Sequence, residues 1–346
     1  MGIYFETLTC IFVCLFISFM ISILYRVAPT SLHALRAYVG PIREDDSIFV
    51  SVASYRDTNC HKTIQSMYET ANNPSKVFVG ICQQNHRRDI DCIKSLPKNR
   101  NIRIIRLKYT RARGPCFARY LCSCLYNGET YYIQIDSHTV FTTNWDVKLV
   151  NMMKSLPDNA IISHYPLPVH VDTFGPPSDV PSAYIPVTCG VSKDGDVLRF
   201  KSITIPTSDI HPVVPNRQTI GTAAGFLCMT GHAVQKVPFD KNLDMIFNAE
   251  ELLYSARLFT HGFDFYPPTE NLVYHYYERK GEPKFWDDVK VKPIYNDSET
   301  IHNILEYHNT GSNLGLGTER HMDEYWKLIG YDKHTKELSR NTCETN

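Results

Sequence analysis

The sequence predicts an α/β fold built on a Rossmann-like, mostly parallel sheet, and three observations carry that expectation. Four short apolar runs, Ile48 to Ala53, Val77 to Cys82, Ile102 to Leu107 and Tyr131 to Ile135, are strand-sized, and most are nearly continuous in apolar character, as strands buried on both faces are. Their starts lie 25 to 29 residues apart, which leaves room for a helix between neighbours. Two stretches supply such helices: Lys62 to Ala71, with Ile64, Met67 and Tyr68, and Cys116 to Tyr126. After Asp136 the pattern turns irregular. A helix is predicted over Asn144 to Leu156, a strand over Ala160 to Tyr165, a Pro-rich passage from Pro166 to Pro186, a helix around Ala249 to Thr260 and a strand-like run from Asn271 to Tyr277. This reads as an elaborated second half and not as a second Rossmann unit. No internal repeat or low-complexity tract is present.

The 346 residues allow one large domain or two modest ones, either able to bury a core without staples. Lys plus Arg number 36 and Asp plus Glu also 36, so the formal charge is zero and no basic field exists to hold a phosphate backbone; nucleic acid is not an expected partner. Of eleven cysteines, Cys10 and Cys14 fall in an apolar N-terminal stretch and the rest show no repeating framework. Cys122-x-Cys124, the closest pair, has neither a usual zinc nor a usual redox spacing.

From Thr7 to Tyr25 no residue is charged. At about 1.5 Å per residue, a helix of that length matches a hydrocarbon core about 30 Å thick. The expectation is a single membrane anchor over residues 1–26. A cleavable signal peptide is the alternative, but no basic residue precedes the run and no clear small-x-small site follows it. The start Met-Gly-Ile-Tyr-Phe-Glu lacks the Ser or Thr needed for myristoylation. Glu6 before the run and Arg26 and Arg36 after it would keep the following domain cytosolic, whereas the sequon Asn296-Asp297-Ser298 is compatible with a lumenal one. A short stem over 27–46, holding Pro29, Gly40 and Pro41, leads to a folded domain over 47–332 and a tail over 333–346.

The most informative stretch is Tyr131-Tyr132-Ile133-Gln134-Ile135-Asp136-Ser137-His138, a buried strand ending in a carboxylate, a hydroxyl and an imidazole. Ligands of open α/β sheets bind beyond the carboxyl ends of the strands, so these groups are delivered to the ligand crevice. Asp136 and His138, two apart in an extended turn, can share a divalent cation; oxygen and nitrogen donors suit Mn²⁺, which would stabilise a leaving diphosphate. The competing reading is that Asp136 caps the next turn and His138 is an ordinary polar loop residue. His275, in the aromatic run Tyr274-His275-Tyr276-Tyr277, could be a third ligand or a stacking core histidine.

The first strand ends in Ser51-Val52-Ala53-Ser54-Tyr55-Arg56-Asp57, where the first βα turn of a nucleotide-binding half meets its ligand. Small residues let the backbone approach, Tyr55 can stack on a base, and Arg56 can pair with a phosphate or fix the fold through Asp57. A plain strand-to-helix turn is equally consistent, and the absence of Gly-x-Gly-x-x-Gly disfavours a dinucleotide enzyme. Arg111, Arg113 and Arg119 surround Gly114-Pro115, a helix start suited to an anion or to solvent. Thr222-Ala223-Ala224-Gly225-Phe226 leaves room for a sugar ring, with Gly221 as hinge, or forms a tight turn. Glu250 and Glu251 head a helix, either to help it start or to contact sugar hydroxyls near the reacting carbon.

Taken together these residues resemble the polypeptide N-acetylglucosaminyltransferases, a family with cytoplasmic members acting on hydroxyproline and Golgi members acting on Thr-rich mucins. The matching segments run in order from Ile48-Phe49-Val50-Ser51-Val52-Ala53-Ser54-Tyr55-Arg56-Asp57 through Val77 to Gln84, Gly114-Pro115 with Ala118-Arg119-Tyr120, and Gln134-Ile135-Asp136-Ser137-His138. They continue through Ala249-Glu250-Glu251, Ala256-Arg257, His261-Gly262-Phe263-Asp264, Pro268-Thr269-Glu270-Asn271, Tyr274-His275 and Phe285-Trp286 to Gly315-Leu316-Gly317-Thr318-Glu319-Arg320 and Gly330-Tyr331-Asp332. The resemblance implies a glycosyltransferase-A fold, a UDP-sugar donor, specifically UDP-N-acetylglucosamine, Mn²⁺ or another divalent cation, and transfer with retained configuration to a polypeptide acceptor. It makes Asp136, His138 and His275 the metal triad and assigns Ser51, Ala53, Ser54, Tyr55, Arg56, Arg119, Asp136, Ser137 and Gly225 to the donor. Asp136, Glu250 and Glu251 become the catalytic and positioning carboxylates. Ala249 departs from the Gly expected before the glutamate pair, and the Pro-rich middle has no clear counterpart. The expected setting is a single-pass protein of the Golgi or another endomembrane lumen, with a cytosol-facing domain as the alternative.

Overall fold

A computed structural model of the chain describes residues 35–94, 96, 101–169, 174–175, 183–194, 197–211, 214–279, 281–289, 314–338 and 343. The chain separates into two units, residues 1–36 and 37–346, and every helix and strand named below belongs to the second. Among the described residues no helix is long and apolar enough to cross a membrane. This overturns the expectation of a single-pass membrane protein in an endomembrane; the segment Thr7 to Tyr25 on which it rested lies outside the described residues, as does the sequon at Asn296.

The four apolar runs form β1 (Ile48–Tyr55), β2 (Val77–Asn85), β3 (Ile102–Lys108) and β4 (Tyr131–Asp136). All three pairings among them are parallel, in the order β4-β1-β2-β3. Helix α1 (Cys60–Thr70) connects β1 to β2 and buries Cys60, Ile64, Met67 and Tyr68, the one-sided spacing of an amphipathic helix. Helix α2 (Pro115–Ser123) connects β3 to β4. Its start depends on Gly114, whose φ of +88 and ψ of 173 lie where only glycine is at ease. A Cβ there would also stand 3.2 Å from Met245 Cα. Gly114→Ala is therefore expected to destabilise the fold by about 1–3 kcal/mol, read as a lowered midpoint in thermal denaturation; an unchanged midpoint would show that this turn is not strained by a side chain.

The second half supplies β5 (Thr139–Phe141), α3 (Trp145–Lys154), β6 (Ala160–Ser163), β7 (Leu167–Pro168), β8 (Tyr184–Asp194), β9 (Val197–Pro206), β10 (Phe226–Thr230) and α4 (Gly231–Lys236). There follow α5 (Glu250–Thr260), β11 (Asp264–Tyr266), β12 (Val273–His275), α6 (Phe285–Asp288), α7 (Met322–Leu328), β13 (Tyr331–Asp332) and β14 (Glu337–Leu338). The main sheet has seven strands in the order β11-β6-β10-β4-β1-β2-β3. Strand β10 runs antiparallel to both β4 and β6, so the sheet is mixed and not simply parallel. The residues following the expected sugar-site turn thus join the centre of the sheet. Strands β8 and β9 form a separate hairpin.

Phe49, Ile64, Met67, Tyr132 and Trp145 lie fully buried in the interior that these layers enclose. Residues 37–46, expected as part of a stem, are hydrogen-bonded to the fold through Arg43 N to Gly128 O at 2.7 Å and Gln235 Nε2 to Gly40 O at 2.8 Å. Two disulfides, Cys60–Cys92 and Cys189–Cys343, join positions 32 and 154 residues apart, spacings that carry no motif.

Candidate active site

The carboxyl ends of β1, β2 and β4 open into a cavity of about 560 Å³. Asp136 ends β4 opposite Ala53 of β1, and both line it. The chain turns at Ser137 and His138 into β5, which pairs antiparallel with β12 so that His275 lies opposite Thr139. Tyr276 N donates to His138 O at 3.0 Å. That pairing brings together two histidines 137 positions apart, with ring centroids 4.6 Å from each other.

One ligand atom from each of Asp136, His138 and His275 falls within 4.8 Å of the others. The histidines are buried, and Asp136 Oδ2 is 2.9 Å from His275 Nε2. Three features suit this trio to a divalent cation. A carboxylate and two imidazoles are a common donor set. The other ring nitrogen of His275, Nδ1, is buried with no hydrogen-bond partner. Gly225 lacks the side chain whose Cβ would stand 3.7 Å from Asp136 Oδ2 and 3.6 Å from His275 Cδ2. Burial would raise the Asp136 carboxyl, but the hydrogen bond to His275 and the charge of Arg119 outweigh it and hold the group well below the usual carboxylate range.

Arg119, on α2 and 4 % exposed, joins this carboxylate to Glu250 at the head of α5. Its Nη2 donates to Asp136 Oδ1 at 3.0 Å and to Glu250 Oε1 at 3.3 Å, and Nε to Glu250 Oε2 at 3.4 Å. Its Nη1 is buried without a partner. Glu251 accepts from Ala224 N at 2.7 Å and from the Tyr165 hydroxyl.

Burial pushes the Glu250 carboxyl up against the pull of Arg119. Burial likewise raises Glu251, to about 7, opposed by the hydrogen bonds from Tyr165 and Ala224 and assisted by the charges of Glu250 and Asp136. Because its folded value lies above the ordinary 4.5, the stability linked to its proton is complete below about 4.5 and is lost as pH rises towards 7. Over that window wild type should lose stability relative to Glu251→Gln by about 3 kcal/mol at most, read as a change in the difference between their melting temperatures. The same pH dependence in wild type and variant would refute this assignment.

Of the sequence-predicted donor residues, Ala53, Tyr55, Arg119, Asp136 and Ser137 line the cavity, and Gly225 sits beside Asp136 and His275. Ser51, Ser54 and Arg56 are not among the lining residues. Ser51 and Ser54 are fully buried within β1. Arg56 is held by Asp89 Oδ2 at 3.0 Å and Asp288 Oδ2 at 2.8 Å, and Tyr55 OH donates to Asp288 at 2.7 Å. The alternative in which Arg56 fixes the fold through Asp57 is not seen: Arg56 turns through a φ of +46, and Asp57 instead accepts from Ser137 Oγ and lies 2.6 Å from His138 Nδ1. Sequence reasoning missed Tyr165, Arg279 and Lys284, all of which line the cavity. Arg279 lies two positions after Tyr277, close behind the aromatic run that holds His275, and that proximity was a sequence cue for it.

Residues 47–97 and 93–310 match the family model Glycosyltransferase (GlcNAc). The chain belongs to this family. No curated protein matches the chain. Among solved structures the chain is similar to GalNAc-T7 with UDP, GalNAc and Mn²⁺, at 13% identity and a TM-score of 0.53, over 79% of this chain and 52% of that one. It is also similar to residues 1–349 of S. aureus TarS in complex with UDP-GlcNAc, at 11% identity and a TM-score of 0.52, over 82% of this chain and 70% of that one. The chain thus spans about half the length of the GalNAc-T7 chain. These likenesses establish an α/β fold of the glycosyltransferase-A type.

Proposed function

We propose that this glycosyltransferase is metal-dependent and moves N-acetylglucosamine from UDP-N-acetylglucosamine to a polypeptide hydroxyl of hydroxyproline, Thr or Ser, with the anomeric configuration retained. The observation that carries the reading is the convergence of Asp136, His138 and His275 in the wall of the cavity that Arg119 also lines. Residues 47–332 form the catalytic domain in this reading, with 333–346 as a tail.

When bound to that trio, Mn²⁺ or a similar cation supplies positive charge against the diphosphate of the donor. Arg119 adds to it through the buried, unpartnered Nη1. Arg279 and Lys284, both in the cavity wall, are further cations for the phosphates. Ala53, beside Asp136, leaves the backbone open to the nucleotide, and Tyr55 offers a ring to the base. Glu250 and Glu251 hold sugar hydroxyls. The bond from the anomeric carbon to the phosphate oxygen breaks as the acceptor oxygen bonds to that carbon on the same face, and the departing phosphate takes the acceptor proton. No separate general base is required.

The test is a screen of the purified chain with several UDP-sugars against peptides bearing Ser, Thr or hydroxyproline, with and without Mn²⁺. Mn²⁺-dependent transfer of N-acetylglucosamine to peptide is the expected result. Free sugar alone with every acceptor would favour a metal-dependent hydrolase, and UDP binding without turnover would favour a non-catalytic carbohydrate-binding module of the same fold.

A further inference from the structure

We infer that Asp57 is a positioning residue for the candidate metal centre, fixing the His138 ring so that Nε2 is the nitrogen left for a cation. The inference rests on the metal-dependent reading above. The Asp57 side chain is fully buried, and its Oδ2 lies 2.6 Å from His138 Nδ1 and accepts from Ser137 Oγ at 2.8 Å. Its Oδ1 accepts from Asn59 N at 2.8 Å. Ser137 Oγ and Asn59 N already donate to its two oxygens and Arg279 stands 3.6 Å away, so Asp57 sits among donors as an acceptor, and the short contact to His138 is satisfied with the proton on Nδ1. A neutral ring protonated there keeps its lone pair on Nε2, which is the form a metal needs, and a carboxylate behind the ring also increases ligand basicity.

The loop that carries Asp57 is braced independently of any ligand. On one side Arg56 pairs with Asp89 and Asp288. On the other, Cys60, at the first position of α1, is disulfide-bonded to Cys92. Asp57 also lies 3.6 Å from Arg279, so one buried carboxylate faces both the imidazole of the centre and a cation of the cavity wall. The carboxylate is therefore preorganised, and the ring it holds need not reorient when a cation arrives.

The experiment is imidazole ¹H–¹⁵N correlation spectroscopy on the metal-free full chain, with the His138 signals assigned by their loss in His138→Gln, followed by Mn²⁺ titration. Wild type should show His138 as the Nδ1–H tautomer. In Asp57→Ala the ring should become a tautomer mixture, and Mn²⁺ affinity should fall by about 10- to 100-fold. Asp57→Asn, nearly isosteric and able to accept through its amide oxygen, should fall between the two and provides the reading if the alanine variant does not fold. An Nε2–H tautomer in wild type, or equal Mn²⁺ affinity in wild type and the folded Asp57 variants, would overturn the inference alone. Failure of wild type to bind Mn²⁺ would overturn the metal reading and this inference with it.

Discussion

Asp136→Asn should lower kcat/KM for sugar transfer by at least about 10³-fold, equivalent to about 4 kcal/mol of transition-state stabilisation. The carboxylate links the two histidines to the buried guanidinium: Oδ2 contacts His275 and Oδ1 accepts from Arg119. Removing its charge withdraws a cation ligand and loosens the guanidinium at once. It does not remove core packing, because the side chain is 28% exposed at the end of β4. The variant should remain folded by circular dichroism, with a stability loss of about 1–3 kcal/mol from the altered hydrogen bonds. Turnover at wild-type level would refute the role given to Asp136.

Arg119→Ala should have an effect of similar size on activity and a larger one on stability. The side chain is only 5% exposed, and its two partners, Asp136 and Glu250, would be left as facing carboxylates without compensation. Deleting one member of such a buried ionic group costs about 3–5 kcal/mol. A lost donor to developing phosphate charge lowers kcat by about 10²- to 10³-fold. Arg119→Lys separates the two effects, since an ammonium can restore charge but not the forked geometry that serves Asp136 and Glu250 together. It should recover much of the melting temperature and little of kcat; recovery of both would reduce Arg119 to a structural ion pair.

The first half of the fold was legible because its strands are continuous apolar runs with helix-length gaps, a pattern local in sequence. The same was true of α5, whose acidic start and apolar spacing predict it. Strand β10 was not legible: Phe226–Thr230 is a five-residue apolar segment, too short to separate from a turn, and its antiparallel placement beside β4 is decided by tertiary pairing. The hairpin β8–β9 followed a Pro-rich passage that masked its start, and the apolar positions of β9 fall in two out-of-phase pairs, Leu198 with Phe200 and Ile203 with Ile205, so no single period-2 series marked it. Of the site, Asp136 and His138 could be read from a strand end, whereas His275 depended on the resemblance, because only the β5–β12 pairing brings it near. That Arg56 and Asp57 serve different partners was not legible for a plain reason. They are adjacent in sequence, yet a left-handed turn at Arg56 sends one to Asp89 and Asp288 and the other to His138.

The most direct test of the metal-centred account is calorimetric titration of UDP into the full chain with and without Mn²⁺, for wild type and for Asp136→Ala, His138→Ala and His275→Ala. Mn²⁺ should strengthen UDP binding to wild type by at least about tenfold, or about 1.4 kcal/mol, and each substitution should abolish that gain. UDP affinity that ignores Mn²⁺ in wild type, or that responds equally in all three variants, would contradict it.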